Sequence, residues 1–167
     1  YAWGVNGGAQ LGDLTTVTKS SPVLVSGPVS TSWSSVATGY STAYAITTTG
    51  QLYAWGVGTG GQLGDLTTVS KSSPILVSGP ASTSWASVAA GASTGYAITT
   101  TGRLYAWGAG ASAQMGDLTL VSKSSPVLVS GPASTSWASV NAGSSTGYAI
   151  TTTGQLYAWG TGSSGEL

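Results

Sequence analysis

Cysteine, histidine and phenylalanine are all absent from this chain of 167 residues. The lack of cysteine excludes disulfides, thiolate zinc sites and thiol nucleophiles. The lack of histidine removes the commonest general base and the commonest metal ligand. Serine and threonine together number 52, but none of them has a histidine to activate it. We therefore predict no catalytic residue, no cofactor and no metal site.

Charged residues are scarce, because four Lys and Arg stand against four Asp and Glu and the net charge is zero. A nucleic-acid-binding protein needs a basic surface to neutralise phosphates, so we expect no nucleic-acid partner. No apolar run approaches the roughly 18 residues of a membrane span, so we expect no membrane insertion. With 7 Trp, 8 Tyr and 41% hydrophobic residues, the chain is too apolar to be disordered. It opens on Tyr1 rather than Met, and we expect its natural N-terminus to lie upstream.

Internal repetition dominates the sequence. Four tryptophans recur at a spacing of 52 residues, at Trp3, Trp55, Trp107 and Trp159. Residues 53–104 and 105–156 are identical at 42 of 52 positions. We divide the single domain, residues 1–167, into units 1–52, 53–104 and 105–156 and a partial unit 157–167.

Each unit contains four short segments with the composition of β-strands, which in the second unit are residues 74–78, 84–89, 95–100 and 103–108. Thr101-Gly102 predicts a tight turn between the last two. The fourth segment is apolar on both faces, with Leu104 and Ala106 opposite Tyr105 and Trp107. A sheet that is covered on both faces needs neighbours on both sides, which radial stacking provides. We predict an all-β fold, a β-propeller of four-stranded antiparallel blades, with about three blades of a larger ring; a β-solenoid is the alternative.

The unit GQLGDLTTVSKSSPILVSG…SWASVAAG…YAITTTGRLYAWG resembles the RCC1 repeat, named for the regulator of chromosome condensation, in its bacterial and viral form. The resemblance implies a propeller of four-stranded blades, usually seven. Two departures stand out. Serine replaces a frequent histidine at Ser41, Ser93 and Ser145, and leucine replaces glycine after the Gly-Asp pair, at Leu14, Leu66 and Leu118.

The best-known member of that family is a guanine-nucleotide exchange factor that binds chromatin, and other relatives are protein-binding modules, including a β-lactamase inhibitor. The exchange role would need charged surface loops, which this sequence lacks. Because a fold does not determine a function, we do not carry that role over.

Three features have both a binding and a structural interpretation. Asp13, Asp65 and Asp117 could ligate calcium, but Asx-turns with the following amides are favoured. The Tyr-Ala-Trp aromatics could stack on sugars, but burial between strands is favoured. The glycine-rich stretch 56–64 lacks the Gly-Lys-Ser/Thr ending of a phosphate loop.

Differences between the units cluster in two loops, residues 5–11 and 37–43 of the first unit and their equivalents. Binding surfaces of repeat proteins lie on such loops, although exposed loops also drift without function. The candidate partner-facing residues are Asn6, Gly7, Tyr40, Thr59, Ala92, Ser112, Asn141 and Ser144.

The interpretation that fits these observations is a non-catalytic structural or adhesive surface module, in an extracellular, cell-surface or virion assembly. The alternative is a propeller that binds a specific protein or glycan, as an inhibitor or receptor-binding module does. The first strand, Tyr1–Gly4, lacks the preceding hairpin partner that the equivalent strands have in the other units, and an unpaired apolar edge invites aggregation. We therefore expect further blades or a second copy of the chain to complete the ring.

Overall fold

The computed structural model describes residues 1–29, 31–133, 135–163, 165 and 167. These residues form thirteen β-strands and no helix. The strands are β1 (Ala2–Gly4), β2 (Lys19–Val23), β3 (Trp33–Thr38), β4 (Thr42–Thr47), β5 (Leu52–Gly56), β6 (Lys71–Leu76), β7 (Trp85–Ala90), β8 (Thr94–Thr99), β9 (Leu104–Gly108), β10 (Lys123–Leu128), β11 (Trp137–Ala142), β12 (Thr146–Thr151) and β13 (Leu156–Gly160). In the described part of the chain, no helix is long and apolar enough to cross a bilayer.

The strands form antiparallel meanders. Strands β3–β6 make blade 1 and β7–β10 make blade 2, each with four strands in chain order. Blade 3 has three strands, β11–β13, and β1 pairs with β2 in an N-terminal hairpin. The prediction of an all-β fold with four-stranded antiparallel blades, about three of them, is confirmed.

The blades do not begin where our predicted units of four strands begin. The strand predicted at residues 74–78 is β6, and it pairs with β5, as Ala54 opposite Ile75. It therefore closes blade 1, and blade 2 opens with β7. A period of 52 residues does not say where one sheet ends, because a shift of the starting point leaves the period unchanged.

The hydrophobic core lies between the blades. A blade's front face, with Tyr44, Ile46, Leu52 and Ala54 in blade 1, packs on the back face of the next blade. The back face of blade 2 consists of Trp85, Ala97, Tyr105 and Trp107. Blades 2 and 3 repeat this contact with the equivalent residues. Blade 2 is thus covered on both faces by its neighbours, as predicted from the two apolar faces of its strands, whereas Ile150 on the front face of blade 3 is 41% exposed.

The aromatic residues of the Tyr-Ala-Trp segment pack inside these interfaces. The ring of Tyr105 lies edge-on to that of Trp85, with centroids 5.6 Å apart. Trp107 is fully buried and contacts the ring of Tyr44 in blade 1 at 5.7 Å. Packing, rather than a sugar-binding platform, is therefore the role of these rings between blades.

The first strand of blade 2, β7, contacts the first strands of both neighbouring blades, β3 and β11. Gly39, which directly follows β3, lies close to blade 2, and a Cβ at this position would overlap the carbonyl oxygen of Gly91. The predicted turn at Thr101-Gly102 is also present. The amide of Gly102 donates to Thr99 O at 2.9 Å, and Gly102 has φ +77°.

Candidate functional site

The two variable loops meet at one end of the blades. The β3–β4 turn lies beside the start of the loop that follows β5, because Thr42 pairs with Gly56. The amide of Val57 donates to Ser41 O at 2.9 Å, and Ala109 donates to Ser93 O at the same distance. We call this end the loop face; it comprises residues 5–18, 38–42, 57–70, 90–94, 109–122 and 142–146.

Most of the predicted partner-facing residues are accessible on or beside the loop face. Tyr40 is 86% exposed. The other exposed residues are Gly7, Thr59, Asn141 and Ser144, and the half-buried ones are Ala92 and Ser112. Asn141 lies in β11, and its side-chain oxygen accepts from the amide of Ala142 at 2.8 Å.

Asn6 was predicted to face a partner, but its side chain is completely buried. Its Nδ2 donates to Asp13 Oδ1 and to Thr15 O, both at 3.0 Å. Its Oδ1 accepts from the amide of Leu11 at 2.9 Å. Buried polar groups are hydrogen-bonded in this way because unpaired ones are costly. Asn6 therefore holds its own loop together and presents nothing to a partner.

The three aspartates form Asx-turns, as favoured above. Asp13 Oδ1 accepts from the amide of Thr15 at 3.1 Å and from its hydroxyl at 2.8 Å, and Asp65 and Asp117 repeat the arrangement. The hydroxyl of Thr15 is the main cause of a lowered pKa at Asp13. Lys19 Nζ lies 3.4 Å from Asp13 Oδ2. Within the described ranges, no three Asp and Glu side chains come together as a metal site would require.

The leucines that replace glycine adopt a backbone conformation that suits glycine. Leu14, Leu66 and Leu118 have φ of 66°, 68° and 64°, in the left-handed region that is unfavourable for side chains with a Cβ. The amide of Leu66 donates to Ser124 O in blade 2 at 2.8 Å, which ties the turn to the neighbouring outer strand. The leucine side chains point outward, and Leu118 is 91% exposed.

These leucines belong to a larger set of exposed apolar side chains, of which only Tyr40 was predicted as a site residue. Those on the loop face are Val5, Leu14, Val17, Tyr40, Leu66, Val69, Leu118, Leu120 and Val121. The only sequence signal was the departure at the three leucines. The charges in this region are largely neutralised, since Lys19 and Lys71 pair with Asp13 and Asp65. The loop face is therefore apolar and carries little net charge.

Two buried tyrosines anchor the long loops. The hydroxyls of Tyr44 and Tyr96 donate to the carbonyl oxygens of Gln62 and Gln114. The same carbonyl of Gln62 accepts from Trp107 Nε1 at 2.9 Å. Each loop is thereby held by side chains from two adjacent blades, and burial raises the pKa of both tyrosines.

This anchoring predicts alkaline instability. A tyrosine in the unfolded chain ionises near its ordinary pKa of about 10, whereas the buried ones stay protonated to higher pH. Their contribution is complete below about pH 10 and is lost as pH rises, by about 1.4 kcal/mol per pH unit for each tyrosine. Urea denaturation between about pH 10 and 12 measures this slope. Tyr96→Phe should reduce it, and Tyr40→Phe, at an exposed tyrosine, should not; equal slopes would contradict the expectation.

Comparison with known structures agrees with the architecture. Human WBSCR16 matches with a TM-score of 0.82 and 22% identity, covering 93% of this chain and 40% of that one. Prp20p from Saccharomyces cerevisiae matches with a TM-score of 0.80 and 20% identity, covering 96% of this chain and 41% of that one. The chain thus spans about two fifths of these structures. No curated protein matches the sequence.

The stacked four-stranded blades define the class of the molecule as a partial β-propeller. The repeat of the regulator of chromosome condensation, RCC1, matches residues 1–46, 49–98 and 101–150, and a second description of the same repeat matches 33–62, 85–114 and 137–166. The chain belongs to the RCC1 repeat family.

Proposed function

We propose that this chain is a non-catalytic, adhesive surface module that binds a protein through its loop face. The observation that carries the proposal is the convergence of both variable loops with exposed leucine, valine and tyrosine side chains at one end of the blades. Exposed apolar patches of this kind mark interaction sites. The blades supply the rigid scaffold, and the loops supply the differences between units.

The backbone of the three leucines supports a binding role. A left-handed conformation costs a residue with a Cβ about 1–2 kcal/mol. Burial in this chain does not offset that cost, since Leu14 and Leu66 are about two-thirds exposed and Leu118 is 91% exposed. Contact with a partner would bury these side chains, and that burial would offset the cost of the left-handed backbone.

A role without catalysis is supported by the chemistry of the side chains. Among the residues that the structure describes, the buried titratable groups with raised pKa are Tyr44 and Tyr96. Both donate to loop carbonyls and so serve the fold. The Asp carboxylates are engaged in turns, and the chain has no histidine to activate its hydroxyls.

The relatives support a protein partner. The yeast Prp20p structure was described together with its binding to Gsp1p and histones. Those partners are not proposed here, because the loop face has few charges and the chain spans only part of that structure. The low charge and the abundance of Ser and Thr favour an extracellular, cell-surface or virion location. Labelling of intact cells or virions with an impermeant reagent would test that location, and protection from the reagent would contradict it.

The test of the loop face uses paired variants. We expect Leu66→Asn combined with Leu118→Asn to weaken capture of a protein from the producing organism at least about tenfold. Thermal stability should be retained or rise slightly, because asparagine tolerates the left-handed region. Val29→Asn is the matched control, since Val29 is 95% exposed in the loop before β3, at the opposite end.

Saturable binding to the immobilised chain and a glycan array are the two measurements. Retention of one protein by the wild type and by Val29→Asn, with loss in the double leucine variant, would support the proposal. Equal retention by all three would refute the role of the loop face. Binding to glycans alone would refute the protein partner.

A further inference from the structure

Asparagine occurs twice in this chain, and the two copies differ in the residue that follows. Asn6 precedes Gly7, whereas Asn141 precedes Ala142. An asparagine before a glycine is the pair most prone to lose ammonia spontaneously, because glycine has no side chain to hinder its backbone nitrogen from approaching the asparagine amide. Gly7 is exposed, and a Cβ there would have no heavy atom within 4 Å. By its sequence, Asn6 is therefore the more reactive asparagine.

The folded loop withholds Asn6 from this reaction. Its side chain is completely buried, and its Oδ1 accepts from the amide of Leu11 at 2.9 Å. Its Nδ2 faces four oxygen acceptors within 3.4 Å, which are Asp13 Oδ1, Thr15 O, Thr15 Oγ1 and Val17 O. Departure of Nδ2 as ammonia would break all of these hydrogen bonds inside a closed site. The reaction therefore requires the loop to open first.

This arrangement belongs to the first unit alone. Asn6 corresponds to Gly58 and Gly110 in the second and third units. A Cβ on Gly58 would overlap the carbonyl oxygen of Val69, so loop 57–70 has no room for an asparagine side chain. Loop 5–18 is instead built around one. The second unit therefore provides an internal control for the first.

We propose that Asn6-Gly7 is a deamidation site that the folded loop protects, and that its reaction opens loop 5–18 irreversibly. In the opened loop, the nitrogen of Gly7 attacks Cγ of Asn6. The N–Cγ bond forms, the Cγ–Nδ2 bond breaks, and ammonia leaves with the proton of the Gly7 amide. Water then hydrolyses the succinimide at either carbonyl and leaves aspartate or isoaspartate at position 6. No atom is oxidised or reduced.

The product no longer fits the closed loop. An aspartate would place a carboxylate oxygen where Nδ2 lies, 3.0 Å from both Asp13 Oδ1 and Thr15 O. The two carboxylates repel each other, and the carbonyl of Thr15 loses its hydrogen bond from Nδ2. Lys19 Nζ, 3.4 Å from Asp13 Oδ2, supplies one positive charge for two negative ones. Isoaspartate also lengthens the main chain by one carbon atom.

The opening would alter the loop face, because Leu14 and Val17 belong to the same loop and are exposed on it. Deamidation would then act as a slow, one-way change in the surface that the first unit presents. The inference does not depend on the proposed partner of the loop face, because every measurement below is made on the chain by itself.

The first experiment compares the deamidation rate of Asn6 in native buffer with the rate in concentrated urea, at the same mildly alkaline pH. Peptide mapping by mass spectrometry follows the conversion of asparagine, and circular dichroism verifies that the chain is folded in one and unfolded in the other. We expect the rate to be at least about tenfold lower in the folded chain, because only the opened loop reacts.

Two matched variants test the source of the protection. Asp13→Ala removes an acceptor of Nδ2 and should raise the native rate at least about fivefold, with no change in urea. Asp65→Ala, at the equivalent position of the second unit, should leave both rates unchanged. Gly7→Ala should slow the reaction in urea at least about fivefold through hindrance at the nitrogen, and the open space around Gly7 admits the methyl group.

The second experiment measures the consequence by hydrogen exchange of Asn6→Asp, which supplies the aspartate product directly. The amides of Ala9 and Leu11 donate to Asn6 O and Oδ1, and we expect both to exchange at least about tenfold faster in the variant. Loop 57–70 should be unchanged. If Asp13→Ala fails to fold, the wild-type comparison and Asn6→Asp decide the question. Equal deamidation in native buffer and urea, a folded Asp13→Ala that reacts no faster than wild type, or unchanged exchange in Asn6→Asp would overturn the proposal.

Discussion

Trp107→Ala is expected to lower the free energy of unfolding by about 3–5 kcal/mol, the largest effect of any single truncation in this chain. The indole is completely buried between blades 1 and 2. It lies against Tyr44 and Trp85 and donates from Nε1 to Gln62 O at 2.9 Å. Its removal leaves a cavity at the blade interface and releases one of the two anchors of the loop.

Trp3→Ala is the matched control for this prediction. Trp3 occupies the same position of the repeat, with the same neighbours Ala2 and Gly4, but it is 62% exposed. We expect a change within about 0.5 kcal/mol. Urea denaturation followed by far-ultraviolet circular dichroism at low protein concentration measures both variants. Similar losses for the two would mean that the tryptophans do not stabilise the fold by packing between blades.

Gly108→Ala is expected to cost about 3–5 kcal/mol, for two physical reasons that add together. Gly108 has φ +108°, a conformation that residues with a Cβ rarely adopt. In addition, a Cβ at this position would overlap the carbonyl oxygen of Ser93. That oxygen accepts from the amide of Ala109, so it cannot move without breaking the contact between the two loops.

The chain offers a control that separates these two causes. Gly4 has φ +109°, but a Cβ there would have no heavy atom within 4 Å. Gly4→Ala should therefore cost only the backbone strain, about 1–2 kcal/mol. The difference between the variants in urea denaturation measures the overlap. If Gly4→Ala cost as much as Gly108→Ala, the overlap with Ser93 would not be the cause.

Much of the fold could be predicted from the sequence because the repeat supplies the same pattern three times. The strand at residues 84–89 is observed as Trp85–Ala90, and the strand at 95–100 as Thr94–Thr99. The strand at 74–78 begins three residues earlier, at Lys71. Lys71 pairs with Gly56 after a shift in register. The alternation of side chains in the sequence did not reveal this irregular pairing.

The candidate site was harder to predict than the fold. The variable loops could be located because they differ between units, and the turns at the aspartates followed from local chemistry. Asn6 was misjudged, because its four hydrogen-bonding partners come from residues 11, 13, 15 and 17 and only the folded loop assembles them. The exposure of the leucines depends in the same way on a left-handed turn that their sequence does not favour.

The amino-acid sequence alone determined the period, the strand character of each segment and the need to cover both flanks of every sheet, because these properties arise from residues close together in the chain. Only the tertiary structure decided where each blade begins and which copies of a repeated side chain are buried. Trp3 and Trp107 have the same immediate neighbours in sequence, yet one is 62% exposed and the other is not exposed at all. The reason is that burial depends on what packs against a residue through space, and the blade that covers Trp107 has no counterpart over Trp3 in the described part of the chain.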